Sequence, residues 1–401
     1  MNPLFSKSYS FLLWTNALAF LCWNIRTYLI NWYILETTDS TFWVGFFSSL
    51  PAIVALFAAP YGGKLADIYS RKMILLIGRI AVFISFILMA IGIMMDFYVF
   101  ICISISFIIY GIAGSIEIIS LRSLILDIVG FKYLTIGNSV IEFVTSFLNT
   151  LGPISIAIIF SSFDNTIPFI SLPIIGAISV LTATLLFFNF NESKDHEDEI
   201  KKNENRSVKE GIIYSYNNIN IRLLLIIAST ILFWAIPQPL IPRITKDALN
   251  SGTQIYALLI SLGGFGAMLG LIILSLKPSI FRNSKFIAFS ICVYSLSMMI
   301  FVLSNSILLS SILFVICGLS HAIWFTVIII LLQTLPDEVH KGRVMGLFFT
   351  VIQFYGLGFI VGGFLGDLIG VTWTIGISSI FLILINLIPL ILSKEYRNLK
   401  S

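Results

Sequence analysis

Hydrophobic runs of about twenty residues recur through this sequence from Phe11 to Leu392. A helix of that length crosses the hydrocarbon core of a bilayer, about 30 Å thick, with its backbone polar groups bonded internally. Charged residues make up only 11% of the chain, which excludes a soluble fold. We therefore predict an all-α integral membrane protein with twelve transmembrane helices, at 11–35, 42–62, 73–95, 97–121, 135–160, 166–190, 222–241, 253–276, 285–304, 307–332, 343–366 and 371–393.

The positions of the basic residues support this count. Of 24 Lys and Arg residues, only Arg243 and Lys246 fall in outer loops when the N-terminus is placed in the cytoplasm, and Arg26 and Arg79 lie within spans. This alternation follows the positive-inside rule. We expect both termini to be cytoplasmic and the protein to reside in the cell inner (plasma) membrane as a multi-pass protein. No small-residue cleavage site follows the first run, so it is predicted to be a retained helix.

A polar stretch from Asn189 to Asn220 interrupts the hydrophobic runs. It divides the chain into an N-terminal six-helix bundle at 1–190, a cytoplasmic linker at 191–221 and a C-terminal six-helix bundle at 222–401. Two such bundles are typical of secondary transporters that work by alternating access. Within the linker, the segment from Val208 to Ile221 alternates Ile and Tyr with polar residues, which would suit the membrane surface.

Small residues at four-residue spacing predict close helix packing. They occur in the eighth and eleventh spans, at Gly266, Gly270, Gly358, Gly362 and Gly366. In the seventh span three prolines, Pro237, Pro239 and Pro242, remove backbone donors and are expected to bend or break its outer half.

Acidic residues inside a membrane are costly and usually functional. Glu117 lies in the fourth span on one face with Tyr110, and Glu142 lies in the fifth span on a stripe with Asn149. Both carboxylates are predicted at a similar depth in the cytoplasmic half of the first bundle. A carboxylate in a poorly hydrated cavity can hold a proton and release it when water arrives, so both are candidates for proton coupling. The alternative is a fixed bond to a neighbouring helix.

Basic residues inside the first bundle suggest different roles. Arg26 lies near the middle of the first span, where no acidic partner is predicted at its level, and Asn24 and Asn31 are expected to line the cavity. A structural role for Arg26 and the binding of an anionic substrate both remain open. Arg79 is close enough to the inner end of the third span to extend to the surface, so we predict a topological role for it.

The second bundle contains one histidine within a predicted span. His321 can change its charge near physiological pH and is followed by Trp324, while Trp234 lies in the seventh span. Together with Tyr110, these aromatic side chains would suit an aromatic, amphipathic substrate. A neutral histidine bonded within the bundle is the alternative.

The sequence lacks the motifs that are typical of other functional classes. No P-loop or nucleophile with a base is present, which argues against an enzyme and against ATP-driven pumping by this chain. Metal-ligand spacing is also missing, and the four cysteines all lie in predicted spans, at Cys22, Cys102, Cys292 and Cys317. We expect no metal, no cofactor, no disulfide and no nucleic-acid partner, and a monomer in the bilayer.

The loop between the second and third spans carries a recognisable motif. Gly63-Lys-Leu-Ala-Asp67-Ile-Tyr-Ser-Arg71-Lys72 resembles the loop signature of the major facilitator superfamily, G-x-x-x-D-(R/K)-x-G-R-(R/K). Ile68 and Ser70 depart from it. The resemblance implies a conformational latch formed by Gly63, Asp67, Arg71 and Lys72, with Asp127, at the cytoplasmic end of the fourth helix, as the acidic partner.

Further segments are similar to the drug:proton antiporter branch of that family, which includes macrolide-efflux and siderophore-exporter proteins. They are Gly137-Asn-Ser139 with Gly152-Pro153, Tyr256-Ala-Leu-Leu through Gly264-Phe-Gly266, and Gln333-Thr-Leu-Pro336 through Gly342-Arg343-Val344. Ile156 and Ala157 stand where the antiporter motif usually has a Gly pair, which puts the motif in doubt.

The resemblance implies proton-coupled export of a small amphipathic, drug-like molecule, with a role in drug resistance. A siderophore or another anionic metabolite is the alternative within export. A nutrient importer or a lipid flippase on the same fold is the alternative from another class, because fold does not fix function.

Overall fold

The computed structural model describes residues 6–68, 71–95, 98–162, 166–188, 208–276, 283–337 and 340–397, although some side chains within these ranges are not described. These residues form helices joined by short connections. The first half contains α1 (Lys7–Thr38), α2 (Thr41–Ile68), α3 (Arg71–Met94), α4 (Val99–Ser162) and α5 (Thr166–Phe188).

The second half contains shorter helices as well as long ones. Its elements are α6 (Val208–Asn217), α7 (Ile219–Ser229), α8 (Ile231–Ala235), a 3-10 turn (Gln238–Leu240), α9 (Ile241–Asp247), α10 (Thr253–Leu276), α11 (Ser284–Val302), α12 (Ile307–Thr334), α13 (Lys341–Ile352), α14 (Tyr355–Ile369), α15 (Val371–Leu392) and α16 (Lys394–Arg397).

The membrane character of the chain is confirmed. Within the described residues, nine helical segments are long and apolar enough to cross a bilayer. Every one of the twelve predicted spans overlaps an observed helix, and the fourth and fifth both fall within α4. The count of twelve crossings and the cytoplasmic termini stay predictions.

Two breaks in the long helices have local causes. In α4, Gly130 has a φ of 67°, a conformation that a side chain would strain and that only glycine adopts freely. The seventh span runs from Ile219 to Asp247, and its outer half is divided into α8, the 3-10 turn and α9. The predicted effect of its three prolines is therefore confirmed.

The contacts divide the chain into two compact units. The first unit contains Met1–Tyr33 and Leu50–Lys202, and the second contains Ile34–Ser49 and Asn203–Ser401. Thus the end of α1 and the start of α2 pack with the second half of the sequence.

Glycines allow the closest helix contacts in the second unit. A methyl group at Gly266 of α10 would overlap the carbonyl oxygen of Val315, and one at Gly318 of α12 would overlap the carbonyl oxygen of Gly263. Gly270 lies against Leu319 in the same way. In α14, Gly358 and Gly362 lie against Leu232 and Ile236, and Gly366 lies against Leu240 and Thr41. Absent side chains thus let backbones touch.

The turn between α1 and α2 is fixed by residues from the second half of the chain. One carboxylate oxygen of Asp367 in α14 accepts hydrogen bonds from the Thr41 backbone N–H (2.8 Å) and the Thr41 hydroxyl (2.7 Å). The other oxygen accepts from the Ser40 hydroxyl (2.5 Å) and the Phe42 backbone N–H (3.0 Å). Since Thr41 is the first residue of α2, Asp367 satisfies two of its free N–H groups.

Two basic side chains of α9 bind Asp39, which lies just before the residues that Asp367 caps. Arg243 Nη1 donates to the Asp39 carboxylate and to its carbonyl oxygen, each at 2.9 Å, and Lys246 Nζ lies 3.3 Å from the same carboxylate. Asp39 has a φ of 50°, which aspartate tolerates better than most residues. We call Asp39, Thr41, Arg243 and Asp367 the α1–α2 clasp.

Removal of the Asp367 carboxylate should loosen the clasp. We expect Asp367→Ala to lower the free energy of unfolding by about 1–2 kcal/mol, the range measured for lost N-caps, and Asp367→Asn to lower it by less. The measurement is the thermal stability of the purified protein in detergent. Glu36→Ala is the matched control because it removes an exposed carboxylate from the same segment. Equal stability of Asp367→Ala and this control would contradict the capping role.

Candidate functional site

The interior of the first unit contains a fully buried arginine. Arg26 of α1 is 1% exposed. Its guanidinium carbon lies 3.8 Å from the centre of the Tyr110 ring, 5.0 Å from that of Phe107 and 5.4 Å from that of Phe86. The three aromatic rings come from α3 and α4 and surround the cation, which places Tyr110 beside Arg26.

The nitrogen atoms of Arg26 are not satisfied by hydrogen bonds. Nε, Nη1 and Nη2 are all buried without a partner among the described residues. Contacts with ring faces contribute about 0.5–2 kcal/mol each, whereas burying an unpaired ion costs several kcal/mol. The three ring contacts, about 1.5–6 kcal/mol together, therefore offset part of the cost of burial but satisfy none of the N–H groups. An unsatisfied buried cation is ready to bind an anionic group that enters the interior.

A second buried cation in this unit has a partner. Arg79 of α3 is 3% exposed, and its Nε lies 2.5 Å from Oε1 of Glu117 in α4. The predicted topological role of Arg79, with its side chain reaching the surface, is wrong. Glu117 on the adjacent helix is close enough to form an ion pair with Arg79. A buried charge with an opposite partner costs less free energy than a buried charge without one.

The other candidate side chains of the first unit lie on α1 and α4. Asn24 is completely buried; its Nδ2 donates to the Phe20 carbonyl oxygen at 3.1 Å, and its Oδ1 has no partner in the part of the chain that the structure describes. Gly152 lies against Asn24, where a side chain would crowd it. Asn31 is buried in α1, Asn149 is half-buried in α4, and Pro153 is buried within α4.

Several predictions fall outside the part of the chain described at side-chain level. The side chains of the latch residues Asp67, Arg71, Lys72 and Asp127 lie outside the described residues, and Gly63 is described only as part of α2. The same holds for the side chain of Glu142 in α4. The latch and the role of Glu142 therefore stay predictions.

The second unit contains an aromatic cluster around His321. The His321 ring of α12 stacks on Trp234 of α8, with ring centres 4.4 Å apart and planes 19° apart. On the same helix it stacks on Phe325 at 5.6 Å and meets Trp324 edge to face at 5.5 Å. We call Trp234, His321, Trp324 and Phe325 the aromatic cluster.

Polar atoms within the aromatic cluster also lack partners. Trp234 Nε1, His321 Nε2 and Trp324 Nε1 are buried with no hydrogen-bond partner among the described residues. Buried indole N–H groups usually find an acceptor, and an unsatisfied buried donor costs about 1–3 kcal/mol. Three such atoms around stacked rings can bind a planar molecule that offers hydrogen-bonding groups.

Three residues of these clusters are not among the sequence-based predictions, namely Phe86, Phe107 and Phe325. Phe107 precedes Tyr110 by three residues and Phe325 follows His321 by four, so helical spacing could have found both. Phe86 lies on another helix, and nothing in the sequence marks its contact with Arg26. The Arg79–Glu117 pair also depends on the rotation of two helices, which hydrophobic runs leave undefined.

A comparison with protein families gives the identity of the fold. The family model described as Major Facilitator Superfamily matches residues 12–357. The chain belongs to the major facilitator superfamily. It is accordingly a transporter rather than an enzyme, and a multi-pass membrane protein. No curated protein matches the sequence significantly.

Solved structures of this superfamily share the fold at low identity. A D-xylose-proton symporter is 14% identical, with a TM-score of 0.76, and the match covers 94% of this chain and 96% of the other. A POT family transporter in complex with a thioalcohol-conjugated peptide is 13% identical, with a TM-score of 0.77 and 98% coverage of both chains. The nucleoside transporter NupG is 13% identical, with a TM-score of 0.75, covering 97% and 100%. Identities this low establish the fold alone.

Proposed function

We propose that this secondary transporter exports a small amphipathic organic molecule that carries an aromatic part and an anionic group. The supporting observation is the set of buried nitrogen atoms without partners, on Arg26 in the first unit and on the aromatic cluster in the second. Alternating access opens the interior of such transporters to water and substrate in turn. Arg26 gives the first unit a group that would bind an anion, and the aromatic cluster gives the second unit a surface that would bind a planar group.

Proton coupling is the second part of the proposal. Glu117 and Glu142 are the two acidic residues predicted within the membrane, and Glu117 is paired with Arg79. Protonation of Glu117 would remove the negative charge from this pair and leave Arg79 buried without an opposite charge. The bundle would then rearrange to pair Arg79 with another anion, so proton binding and the rearrangement would be linked. The latch residues Asp67, Arg71 and Asp127 would favour one of the two states.

The proposal of export, as opposed to import, is based on the resemblance of the loop and helix segments to drug exporters. Solved neighbours include a D-xylose-proton symporter, and in a symporter the substrate and the proton move together. Import on the same scaffold is therefore the competing function. Direct measurement of the direction distinguishes the two.

The experiment is transport by the purified protein in proteoliposomes with an imposed pH gradient. The probes are a fluorescent aromatic carboxylate, its neutral amide of the same shape, a macrolide and a siderophore. We expect the carboxylate to move against the direction of proton flow and to stop when a protonophore collapses the gradient. Movement of the carboxylate together with protons would establish import, and movement without a gradient would refute coupling.

A conservative substitution tests the aromatic cluster. Trp324→Phe keeps a ring but removes the unpartnered N–H, so we expect the apparent affinity for the carboxylate probe to fall about tenfold, as expected for one lost hydrogen bond of about 1.4 kcal/mol. Trp373→Phe is the matched control because Trp373 is 70% exposed. Unchanged affinity in Trp324→Phe would remove this N–H from the site.

A further inference from the structure

The second unit carries a groove on the side that the positive-inside rule predicts to be cytoplasmic. It has a volume of about 340 Å³ and is lined almost entirely by apolar surface. Its walls come from α6, α7 and α13, with Ser215, Tyr216, Arg222, Ile226, Leu347 and Val351 among the lining residues. The groove is open to its surroundings rather than enclosed.

Specific contacts hold α6 in place as one wall of the groove. Glu210 forms an ion pair with Arg343 Nη1 of α13 at 2.7 Å. The Tyr214 ring lies parallel to the His340 ring, with centres 3.9 Å apart. Asn218 ends the helix and caps α7 by accepting hydrogen bonds from the N–H groups of Asn220 and Ile221. The groove is therefore bounded by defined side-chain contacts.

Two polar groups stand out in this apolar groove. Arg222 Nη1 donates to the Tyr216 carbonyl oxygen at 3.2 Å, and its guanidinium lies over the Tyr216 ring at 5.1 Å. This anchors the cation, while its other N–H groups have no partner among the described residues. Ser215 is among the lining residues and is only 4% exposed, and its buried hydroxyl has no partner among the described residues.

We propose that this groove binds one phospholipid with an anionic headgroup. The headgroup phosphate would accept hydrogen bonds from Arg222, and an acyl chain would lie along Ile226, Leu347 and Val351. Charge complementarity favours this occupant, because Arg222 is predicted at the cytoplasmic end of its span, where the leaflet is rich in anionic lipids. The proposal goes beyond the transported substrate and is independent of it.

The test is native mass spectrometry of the full-length protein with equal amounts of dioleoyl phosphatidylglycerol and dioleoyl phosphatidylcholine. We expect the wild type to retain phosphatidylglycerol preferentially. Arg222→Gln should reduce that preference about fivefold, which corresponds to about 1 kcal/mol for one basic residue at an anionic surface. Arg222→Lys should retain most of it. Ser229→Phe, which places a ring in the groove, should reduce retention of both lipids.

The matched control is Lys285→Gln, which removes an exposed positive charge at the start of α11, away from the groove. A loss of preference equal to that of Arg222→Gln would show a general surface-charge effect and overturn the proposal. A wild type without headgroup preference would also overturn it. Melting temperatures show whether all variants fold. Because the groove is proposed to be independent of the transported substrate, Arg222→Gln should still transport the carboxylate probe.

Discussion

Arg26→Met should make the protein more stable and strongly weaken transport of the carboxylate probe. The substitution replaces an unpaired buried cation by an apolar side chain of similar length among the rings of Phe86, Phe107 and Tyr110. Replacing buried charged groups by packed apolar ones is often stabilising by about 1–4 kcal/mol. Loss of the hydrogen bonds of a charged group should reduce the apparent affinity for the carboxylate by about ten- to hundredfold.

The paired measurements are the melting temperature in detergent and transport of the carboxylate and its neutral amide. Arg26→Lys is the control, because it keeps the charge but loses the planar group that stacks on the rings; it should not gain stability. We expect transport of the amide to survive in Arg26→Met. If that variant is destabilised and both probes are lost, Arg26 is a structural residue and the anion site must lie elsewhere.

Glu117→Gln should cause the largest loss of stability among these substitutions. It would leave the Arg79 guanidinium buried without an opposite charge, and breaking a buried pair from one side costs about 3–5 kcal/mol. The double variant Arg79→Met with Glu117→Leu removes both charges and should recover most of that loss. The free energy of unfolding, measured by denaturant titration in detergent, compares the three proteins.

The double variant also separates folding from coupling. If Glu117 exchanges protons, the double variant should fold but transport its substrate without regard to the pH gradient. Intact coupling in a folded double variant would exclude Glu117 as the proton site and leave Glu142 as the candidate. Near wild-type stability of Glu117→Gln would contradict the importance of the pair itself.

The sequence predicts the helices of this protein well because bilayer thickness sets their length. Each predicted span overlaps an observed helix, and the prolines of the seventh span mark its break. Residue patterns within one helix are also informative, as Phe107 with Tyr110 and His321 with Phe325 illustrate. These relations depend only on helical spacing and need no knowledge of neighbouring helices.

The sequence does not predict the contacts between helices. The pairing of Arg79 with Glu117 and the position of Phe86 over Arg26 depend on how each helix is rotated about its axis. That rotation is decided by packing at sites such as Gly266 and Gly318, where backbones touch. The clasp shows the same limit, because its two sides lie far apart in the sequence.

The clasp also has a consequence for the order in which the chain is made. The hydrogen bond from Thr41 to Asp367 joins residues 326 positions apart. At a synthesis rate of about 5–20 residues per second, a ribosome needs roughly 16–65 seconds to add Asp367 after it has added Thr41. Throughout that interval the first turn of α2 lacks its cap. The nascent N-terminal half must therefore persist with this helix end uncapped until α14, which contains Asp367, has been translated.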